Sequence, residues 1–272
     1  MTVIQRCWYL TVRDRGVSGF LAEANYADTT VDRSLILEIE RKTLEIKRAV
    51  LEVHRGQPEA AAITSVSALV GITAYFGCGK KMCQALSGTP ALLDMATQAV
   101  TAVIQAEVFF YRERGFASPE EYHDSWDKTY QNACVLHSNL DRRQQSPIEY
   151  FNDQRRGSNL FHRYLLTALD VTKKKPEIRG HLLDSYHEMS LVLQLDQSLL
   201  IRKALGKMLR CPDSVCREAL PRINGLEGTS LATTDSKRYQ SICGGSSGCA
   251  HISHLVQEAA LTLDIYQKSK SK

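Results

Sequence analysis

The most constraining feature of the sequence is an internal repeat. The segment LILEIERKTLEIKRA, residues 35–49, aligns with LVLQLDQSLLIRKA, residues 191–204, after one residue is deleted. Farther along, residues 83–99 align without gaps on residues 243–259. Self-similarity of this kind indicates repeated structural units. We therefore expect a tandem duplication with roughly 110 residues in each copy, which is an ordinary domain size.

Each copy begins with a strand pattern and ends with a helical one. Apolar residues alternate with polar ones in the aligned segments, as they do in strands that bury one face. The alternating residues are Leu35, Leu37, Ile39, Leu191, Leu193 and Leu195. Near the end of the second copy, apolar residues recur at intervals of three and four, which predicts a helix with one buried face. These residues are Ile252, Leu255, Val256, Ala259, Leu263 and Tyr266. Strands followed by helices are typical of α+β proteins, so we predict two copies of an antiparallel sheet with helices.

The predicted domains are a first repeat over 1–107, a polar helical insert over 108–160 and a second repeat over 161–272. SPEE at 118–121 and SPIE at 146–149 have the capping-box pattern of helix starts. The insert is interpreted either as a docking element or as a simple spacer. As a docking element it would contact a core, a partner protein or a second copy of this chain.

Composition and charge argue against several classes of protein. The 34 basic and 30 acidic residues are interspersed, so the net charge of +4 gives no support to nucleic-acid binding. The first residues contain no apolar run typical of a signal peptide. We therefore expect a cytoplasmic protein whose eight cysteines are thiols or ligands rather than disulfides. Residues 60–79 are uncharged over a length that could span a bilayer. They are interpreted as a buried helix running into a loop, with a membrane span as the alternative, and no membrane partner is expected.

The candidate site lies in CGGSSGCAHISH, residues 243–254, where two cysteines and two histidines surround a glycine-rich turn. The repeat alignment separates structure from chemistry in this segment. Cys249 and His251 align with Thr89 and Ala91, so the first copy has neither this thiol nor this imidazole. The glycine turn and the apolar helix positions persist in both copies. We therefore predict that the turn and helix are structural and that Cys249 and His251 are functional.

Three short motifs follow one another in the second copy: HEM at 187–189, CPD at 211–213 and GGSSGCAHISHL at 244–255. Their order and spacing resemble an uncharacterised bacterial domain family with the pattern H-D-M, then C-P-D, then G-G-x-x-G-C-T-H-L. Glu188 in place of Asp and Ala250 in place of Thr depart from that pattern. The resemblance implies a fold and a set of site positions but no reaction. Those positions are His187, Glu188, Cys211, Asp213, Cys249 and His251.

Soft thiolate ligands combined with imidazole suit zinc, iron or an iron–sulfur cluster. The order of strands, cysteine, helix, glycine and cysteine is also similar to that of the U-type iron–sulfur cluster scaffold proteins, which hold a cluster with three cysteines and a further carboxylate or histidine. No C-x-x-C pair, the spacing typical of small zinc sites, is present. The leading hypothesis is a protein that binds a transition metal or an iron–sulfur cluster. The predicted ligands are Cys211, Cys216, Cys249 and His251, with Asp213 or His187 in reserve.

The first alternative is a metal-free enzyme that acts on a small organic substrate. Cys249 precedes the last helix, where exposed amides and the helix dipole lower the pKa of a thiol, so it is a candidate nucleophile. His251 would serve as its base only if Cys249 lies at or before the helix cap, because residues two apart in a helix point to different sides. His187, beside Glu188 and oriented by a carboxylate from elsewhere, is the alternative acid–base group. A third hypothesis is an accessory subunit whose insert and first repeat bind a partner protein.

The remaining chemistry-bearing residues of the pattern receive structural interpretations. His254 and Glu258 share a helical stripe with His251, and we expect them to form a solvated flank of the helix. Free cysteines in cytosolic proteins most often fill small apolar spaces. This interpretation applies to Cys7, Cys78, Cys83, Cys134 and Cys243.

Overall fold

The computed structural model describes residues 3–56, 61–152, 156–172, 175–231 and 236–270. Within these residues the chain forms nine β-strands and six α-helices, joined by turns and 3₁₀ helices. The strands are β1 (Val3–Asp14), β2 (Phe20–Asp28), β3 (Asp32–Ile39), β4 (Ile46–Arg55), β5 (Ala62–Ser65), β6 (Asn159–Asp170), β7 (Glu177–Asp184), β8 (Glu188–Leu195) and β9 (Ile201–Arg210). The α-helices are α1 (Gly79–Ala85), α2 (Pro90–Ala106), α3 (Pro119–Tyr130), α4 (Pro147–Tyr150), α5 (Ser236–Cys243) and α6 (Ala250–Lys270). The α+β class predicted from the sequence is confirmed.

The chain divides into two compact units. The N-terminal unit comprises Trp8–Tyr122 and Phe151–Tyr164, and the C-terminal unit comprises Met1–Cys7, His123–Tyr150 and Leu165–Lys272. The strand order is β5-β4-β3-β2 in the N-terminal unit and β7-β8-β9 in the C-terminal unit. Strands β1 and β6 each contribute residues to both units. The domain boundaries expected near residues 107 and 160 stay a prediction.

The N-terminal unit is built around an antiparallel sheet. Leu35 of β3 lies opposite Ala24 of β2 and Leu51 of β4. Leu35 and Leu37 are fully buried, whereas the residue between them is partly exposed. Helix α2 packs against β2 and β3. The alternation in the sequence therefore marks the sheet face that a helix covers, as predicted.

The C-terminal unit follows the same principle. Strands β7, β8 and β9 pair antiparallel, and Leu191, Leu193 and Leu195 of β8 are buried. Helix α6 packs against β7 and buries the apolar positions that the spacing predicts. Gly180 of β7 allows this contact, because a Cβ atom there would lie 2.9 Å from Leu255 Cδ1. The last helix is thus held close to the strand that ends at Asp184.

The β3–β4 and β8–β9 turns share an unusual backbone. Leu44 and Leu199 both adopt left-handed conformations, with φ of 58° and 63°, which is uncommon for leucine. In each hairpin the strand register shifts immediately before the last residue of the first strand, Ile39 or Leu195. The segments that align in the sequence therefore carry the same two irregularities at corresponding places.

The uncharged segment 60–79 is not the buried helix that we expected. Strand β5 and a 3₁₀ turn at Ser67–Leu69 occupy it, and residue 60 lies outside the described part of the chain. Gly71 and Gly77 have φ of 86° and 83°, which a right-handed helix cannot include. The absence of charge therefore reflected a short strand and turns rather than a helix. Among the described helices, none combines the length and the apolar character that crossing a membrane requires.

Both helix starts expected in the insert are present, and the one at α4 is a complete capping box. Ser118 Oγ accepts a hydrogen bond from Glu121 N at 3.2 Å, and the Glu121 carboxylate accepts one from Ala117 N at 2.7 Å. At the start of α4, Ser146 Oγ accepts from Glu149 N at 3.3 Å, and the Glu149 carboxylate accepts from Ser146 N at 2.6 Å. These bonds satisfy backbone donors that a helix start leaves unpaired. The two helix starts are therefore confirmed.

Candidate metal centre

Asp184 organises the turn between β7 and β8. Its Oδ1 atom accepts hydrogen bonds from the backbone N–H groups of Tyr186, at 2.8 Å, and His187, at 2.7 Å. Its own N–H donates to the carbonyl oxygen of His187 at 2.8 Å. An aspartate that accepts from the backbone two and three residues ahead stabilises a tight turn. The turn therefore places the His187 imidazole beside the carboxylate.

The guanidinium of Arg210 holds the outer side of the same turn. Its acceptors are the carbonyl oxygens of Asp184, Ser185 and His187 and the hydroxyl of Tyr150. A guanidinium has five N–H donors in a fixed planar arrangement, so one side chain can satisfy several carbonyl groups at once. Arg210 thus fixes the backbone from which the His187 side chain projects.

A hairpin with the same bonds ends β2 in the N-terminal unit. Asp28 Oδ1 accepts from the backbone N–H groups of Thr30, at 2.6 Å, and Val31, at 2.8 Å, while Asp28 N donates to Val31 O at 2.8 Å. Arg55 donates to carbonyl oxygens of this turn. Val31 occupies the position that His187 has in the other hairpin. The aspartate and the arginine are therefore structural in both hairpins, and the imidazole is an addition in one.

The glycine-rich segment positions the second imidazole. Cys249 N donates to Cys243 O at 2.7 Å, which closes the turn immediately before α6. A Cβ atom on Gly248 would lie 2.2 Å from Cys243 O, so only glycine fits there. His251 consequently lies in the first turn of α6, as the sequence predicted.

Asp184, His187 and His251 form a triad that could hold a metal ion: one ligand atom from each lies within 4.8 Å of the other two. His187 Nδ1 lies 3.2 Å from Asp184 Oδ1, and His251 Nε2 lies 3.9 Å from Asp184 Oδ2. The two imidazole rings are in contact, with centroids 4.0 Å apart. We call these three residues the candidate metal centre.

The spacing and burial of the candidate metal centre fit a small cation. Ligand atoms about 2.1 Å from a tetrahedral zinc ion lie roughly 3.4 Å apart. The distances from Asp184 to His187 and His251, 3.2 and 3.9 Å, lie on either side of that value and end on different oxygens of the carboxylate. Asp184 is fully buried, and the side chain of His251 retains 23% of its exposure. Two imidazoles and one carboxylate form a donor set used by zinc and by non-haem iron. The centre is therefore mostly dry but accessible at the side of His251.

Cys249 adjoins the candidate metal centre without the properties expected of an activated thiolate. Its Sγ atom lies 4.0 Å from His251 Nδ1. Burial raises the pKa of the Cys249 thiol to about 12, although hydrogen bonds from the backbone N–H groups of Ile252 and His251 oppose the rise. The expectation that the helix start lowers this pKa is wrong, because desolvation of a thiolate outweighs the favourable amides.

The CPD motif has a structural arrangement. Asp213 Oδ1 accepts from Val215 N at 3.0 Å, and its Oδ2 accepts from Gln144 N at 2.7 Å. The thiol of Cys211 donates to Asp213 O at 3.1 Å, and burial raises the pKa of the Cys211 and Cys216 thiols. None of these three side chains belongs to the candidate metal centre within the described residues. Their role as metal ligands stays a prediction.

The other expected site residues lie outside the candidate metal centre. Glu188 begins β8 opposite Arg210 and is partly buried. His254 Nε2 lies 3.8 Å from Glu258 Oε1, and Glu258 forms a buried ion pair with Arg6 at 2.9 Å. Glu258 is therefore a core residue, and its assignment to a solvated flank is wrong. A carboxylate inside the unit is tolerated because a guanidinium compensates its charge.

Sequence reasoning named His187 and His251 but missed Asp184. A carboxylate does lie beside His187, that of Asp184 three residues earlier in the same turn, with Oδ1 3.2 Å from His187 Nδ1. The acid–base role of His187 stays a prediction. A usable signal was present, since YADTTVD at 26–32 and LLDSYHE at 182–188 place an aspartate at the same position before a turn. Aligning these segments marks Asp184 as a turn aspartate three residues before His187.

Comparison with known proteins identifies one segment. Residues 167–263 match the model of a family described as "Protein of unknown function (DUF2889)". No curated protein and no solved structure matches the chain. The matched residues contain all three members of the candidate metal centre. The resemblance to an uncharacterised domain family is thereby confirmed by a match over about a third of the chain. The motif pattern and the likeness to iron–sulfur cluster scaffold proteins stay predictions.

Proposed function

We propose that this protein binds a divalent transition metal ion, zinc or iron, through Asp184, His187 and His251. The observation that carries the proposal is the convergence of these three side chains from two separate elements, the β7–β8 turn and the start of α6. Imidazole nitrogens and a carboxylate oxygen satisfy the ligand preferences of both metals. Three protein ligands leave coordination positions for water or a substrate, so the centre would support Lewis-acid chemistry or activation of water.

A tandem duplication supports the functional assignment. We infer the duplication from the matching hairpins at Asp28 and Asp184 and from the matching left-handed leucines at 44 and 199. The copy that lacks counterparts of His187 and His251 keeps the same turn, held by the same kinds of side chain. His187 and His251 are therefore not required for the backbone that carries them, which favours a chemical role.

A metal-free acid–base enzyme is the second candidate. The contact of 3.2 Å between Asp184 Oδ1 and His187 Nδ1 is the arrangement in which a carboxylate orients an imidazole for proton transfer. In this reading His187 acts on a small organic substrate, with Glu188 beside it. Cys249 would serve as a nucleophile only after it loses its proton, for which His251 Nδ1 at 4.0 Å is the available base.

Two further hypotheses stay open to the same measurements. Thiol ligation of iron or an iron–sulfur cluster would use Cys211, Cys216, Cys249 and His251, with Asp213 or His187 in reserve. An accessory role would use the helical insert and the first repeat to bind a partner protein or a second copy of the chain. The cluster differs from the proposed metal site in needing Cys211 and Cys216, and the accessory role needs no metal.

The deciding experiment is anaerobic purification followed by elemental analysis, assay of acid-labile sulfide and an absorption spectrum. The proposal expects about one zinc or iron per chain in the wild type, without sulfide, and less than a tenth of that in His187→Ala and His251→Ala. His54→Ala is the matched control, since His54 lies on β4 outside the centre. This variant should keep the full metal content. Acid-labile sulfide that disappears in Cys216→Ala would favour the cluster instead. A metal-free wild type that takes up no Zn²⁺ or Fe²⁺ at micromolar concentration would overturn the proposal.

A further inference from the structure

The two ring nitrogens of His251 face different groups. Its Nε2 atom lies 3.9 Å from Asp184 Oδ2, on the side of the candidate metal centre. Its Nδ1 atom lies 4.0 Å from the Sγ atom of Cys249. The orientation of the imidazole therefore decides whether Nε2 or Nδ1 is presented to the carboxylate.

Cys249 is well placed to set that orientation. It lies immediately before the first residue of α6 and is held there by the bond from its N–H to Cys243 O. It is 6% exposed, so its side chain has little room to move. A thiol sulfur is a weak acceptor, so it can accept the proton of Nδ1–H in the tautomer that leaves Nε2 free for a metal. Groups that bind the second nitrogen of a ligating histidine fix its tautomer and orientation.

We infer that Cys249 is a positioning residue that binds His251 Nδ1 and thereby directs Nε2 into the candidate metal centre. The inference rests on the proposed function and assigns Cys249 a role as neither ligand nor nucleophile. When a metal occupies Nε2, the ring proton resides on Nδ1 and points to the sulfur. No covalent step at the thiol is involved.

The N-terminal unit supplies an internal comparison. Thr89 occupies the corresponding position before α2, and Ala91 stands where His251 stands in α6. A helix of this fold thus begins without a thiol when no imidazole follows two residues later. The cysteine accompanies the histidine, as expected of a residue that acts through it.

The test compares Cys249→Ala and Cys249→Ser with Thr89→Ala, which truncates the corresponding helix cap in the other unit. Affinity for Co²⁺ and Zn²⁺ is measured by chelator competition, and the tautomer of His251 by ¹⁵N chemical shifts in the metal-free protein. Cys249→Ala is expected to weaken the binding of both metals about 10- to 100-fold and to leave His251 as a mixture of tautomers. Cys249→Ser should recover part of the affinity, and Thr89→Ala should match the wild type in both measurements.

The outcomes separate this inference from the proposed function. Wild-type affinity and an unchanged tautomer in Cys249→Ala would overturn the inference and leave the metal site standing. A wild type that binds neither metal would overturn the proposed function, while the tautomer measurement still decides whether Cys249 orients His251. If Cys249→Ala does not fold, Cys249→Val provides a bulkier side chain that fills the space without hydrogen bonding. Normal affinity in that variant would count equally against the inference.

Discussion

Asp28 and Asp184 make the same backbone hydrogen bonds at the ends of β2 and β7. Each accepts two N–H groups on Oδ1, and each donates its own N–H to the residue three positions ahead. In Asp28, burial alone would raise the pKa, but hydrogen bonds from Tyr26, Thr30 and Val31 outweigh it and lower the pKa. The charged form is thus the one that this turn stabilises, and the pair offers a matched test of what is specific to Asp184.

Asp28→Asn and Asp184→Asn are each expected to destabilise the protein by about 1 kcal/mol or more, with the larger loss at the fully buried Asp184, because an amide NH₂ group replaces one acceptor oxygen in the turn. Only Asp184→Asn should lose metal, since only that carboxylate lies beside two imidazoles. Urea unfolding and metal content of the two variants check the prediction. Equal metal content in both variants would show that Asp184 stabilises the turn but does not bind metal.

Replacement of Arg210 by Met is expected to lower the free energy of unfolding by about 2 kcal/mol, because carbonyl oxygens of a buried turn lose their donors. The effect of Arg55→Met should be smaller, since Arg55 is exposed and water can replace its guanidinium. Metal affinity should fall only in Arg210→Met, because His187 then projects from a less rigid turn. The measurements are urea unfolding and chelator competition. A larger loss of stability in Arg55→Met would contradict the role assigned to burial.

Gly248→Ala is expected to destabilise the protein by about 3 kcal/mol or more, since the new Cβ would overlap backbone oxygens and the turn before α6 would have to open. These oxygens lie 2.2 and 2.4 Å from the Cβ position, on Cys243 and Gly244. The aligned Gly88 has φ of 84° and no atom within 4 Å of a Cβ. Gly88→Ala should therefore cost only about 1 to 2 kcal/mol of backbone strain. Thermal unfolding of both variants provides the comparison, and equal losses would contradict it.

Stability is expected to fall as the pH rises from about 9 to about 11, in part because of Cys243. Burial raises the pKa of this thiol from 9.0 to about 11. Below pH 9 the thiol is protonated in both states, whereas between these values the unfolded chain releases a proton that the folded chain retains. Each buried thiol with a pKa raised in this way lowers the free energy of unfolding by about 1.4 kcal/mol per pH unit in this window.

The free energy of unfolding of Cys243→Ala should therefore fall less steeply with pH than that of the wild type, by about 1.4 kcal/mol per pH unit over the same window. Cys83→Ala is the control, because Cys83 aligns with Cys243 in the repeat but is exposed. Urea unfolding at several pH values measures the two slopes. A slope in Cys243→Ala identical to that of the wild type would contradict the assignment.

Much of the fold was predictable because its signals are local. Alternation at Leu35 and Leu191, the helix starts at Ser118 and Ser146, and the buried face of α6 each depend on a few neighbouring residues. The prediction of a buried helix over 60–79 was wrong because small and β-branched residues are compatible with a buried helix and with an exposed strand. Only the pairing of β5 with β4, a contact distant in sequence, distinguishes the two.

The candidate site was predictable only in part, for a physical reason. His251 and Cys249 stood out because the aligned N-terminal segment lacks them, but Asp184 has a counterpart in Asp28 and looked like an ordinary turn residue. The pKa of Cys249 depends on burial by distant segments, which no local pattern reports. Residues that differ between the aligned segments were thus found, and a residue that the two segments share was missed.

The hairpin that carries His187 is held by one carboxylate and one guanidinium that bind its backbone. Its N-terminal counterpart stands on the same two groups with valine in that place. Evolution can therefore exchange the residue at this corner without rebuilding the chain around it. The same hairpin is therefore compatible with different side chains at the position of His187.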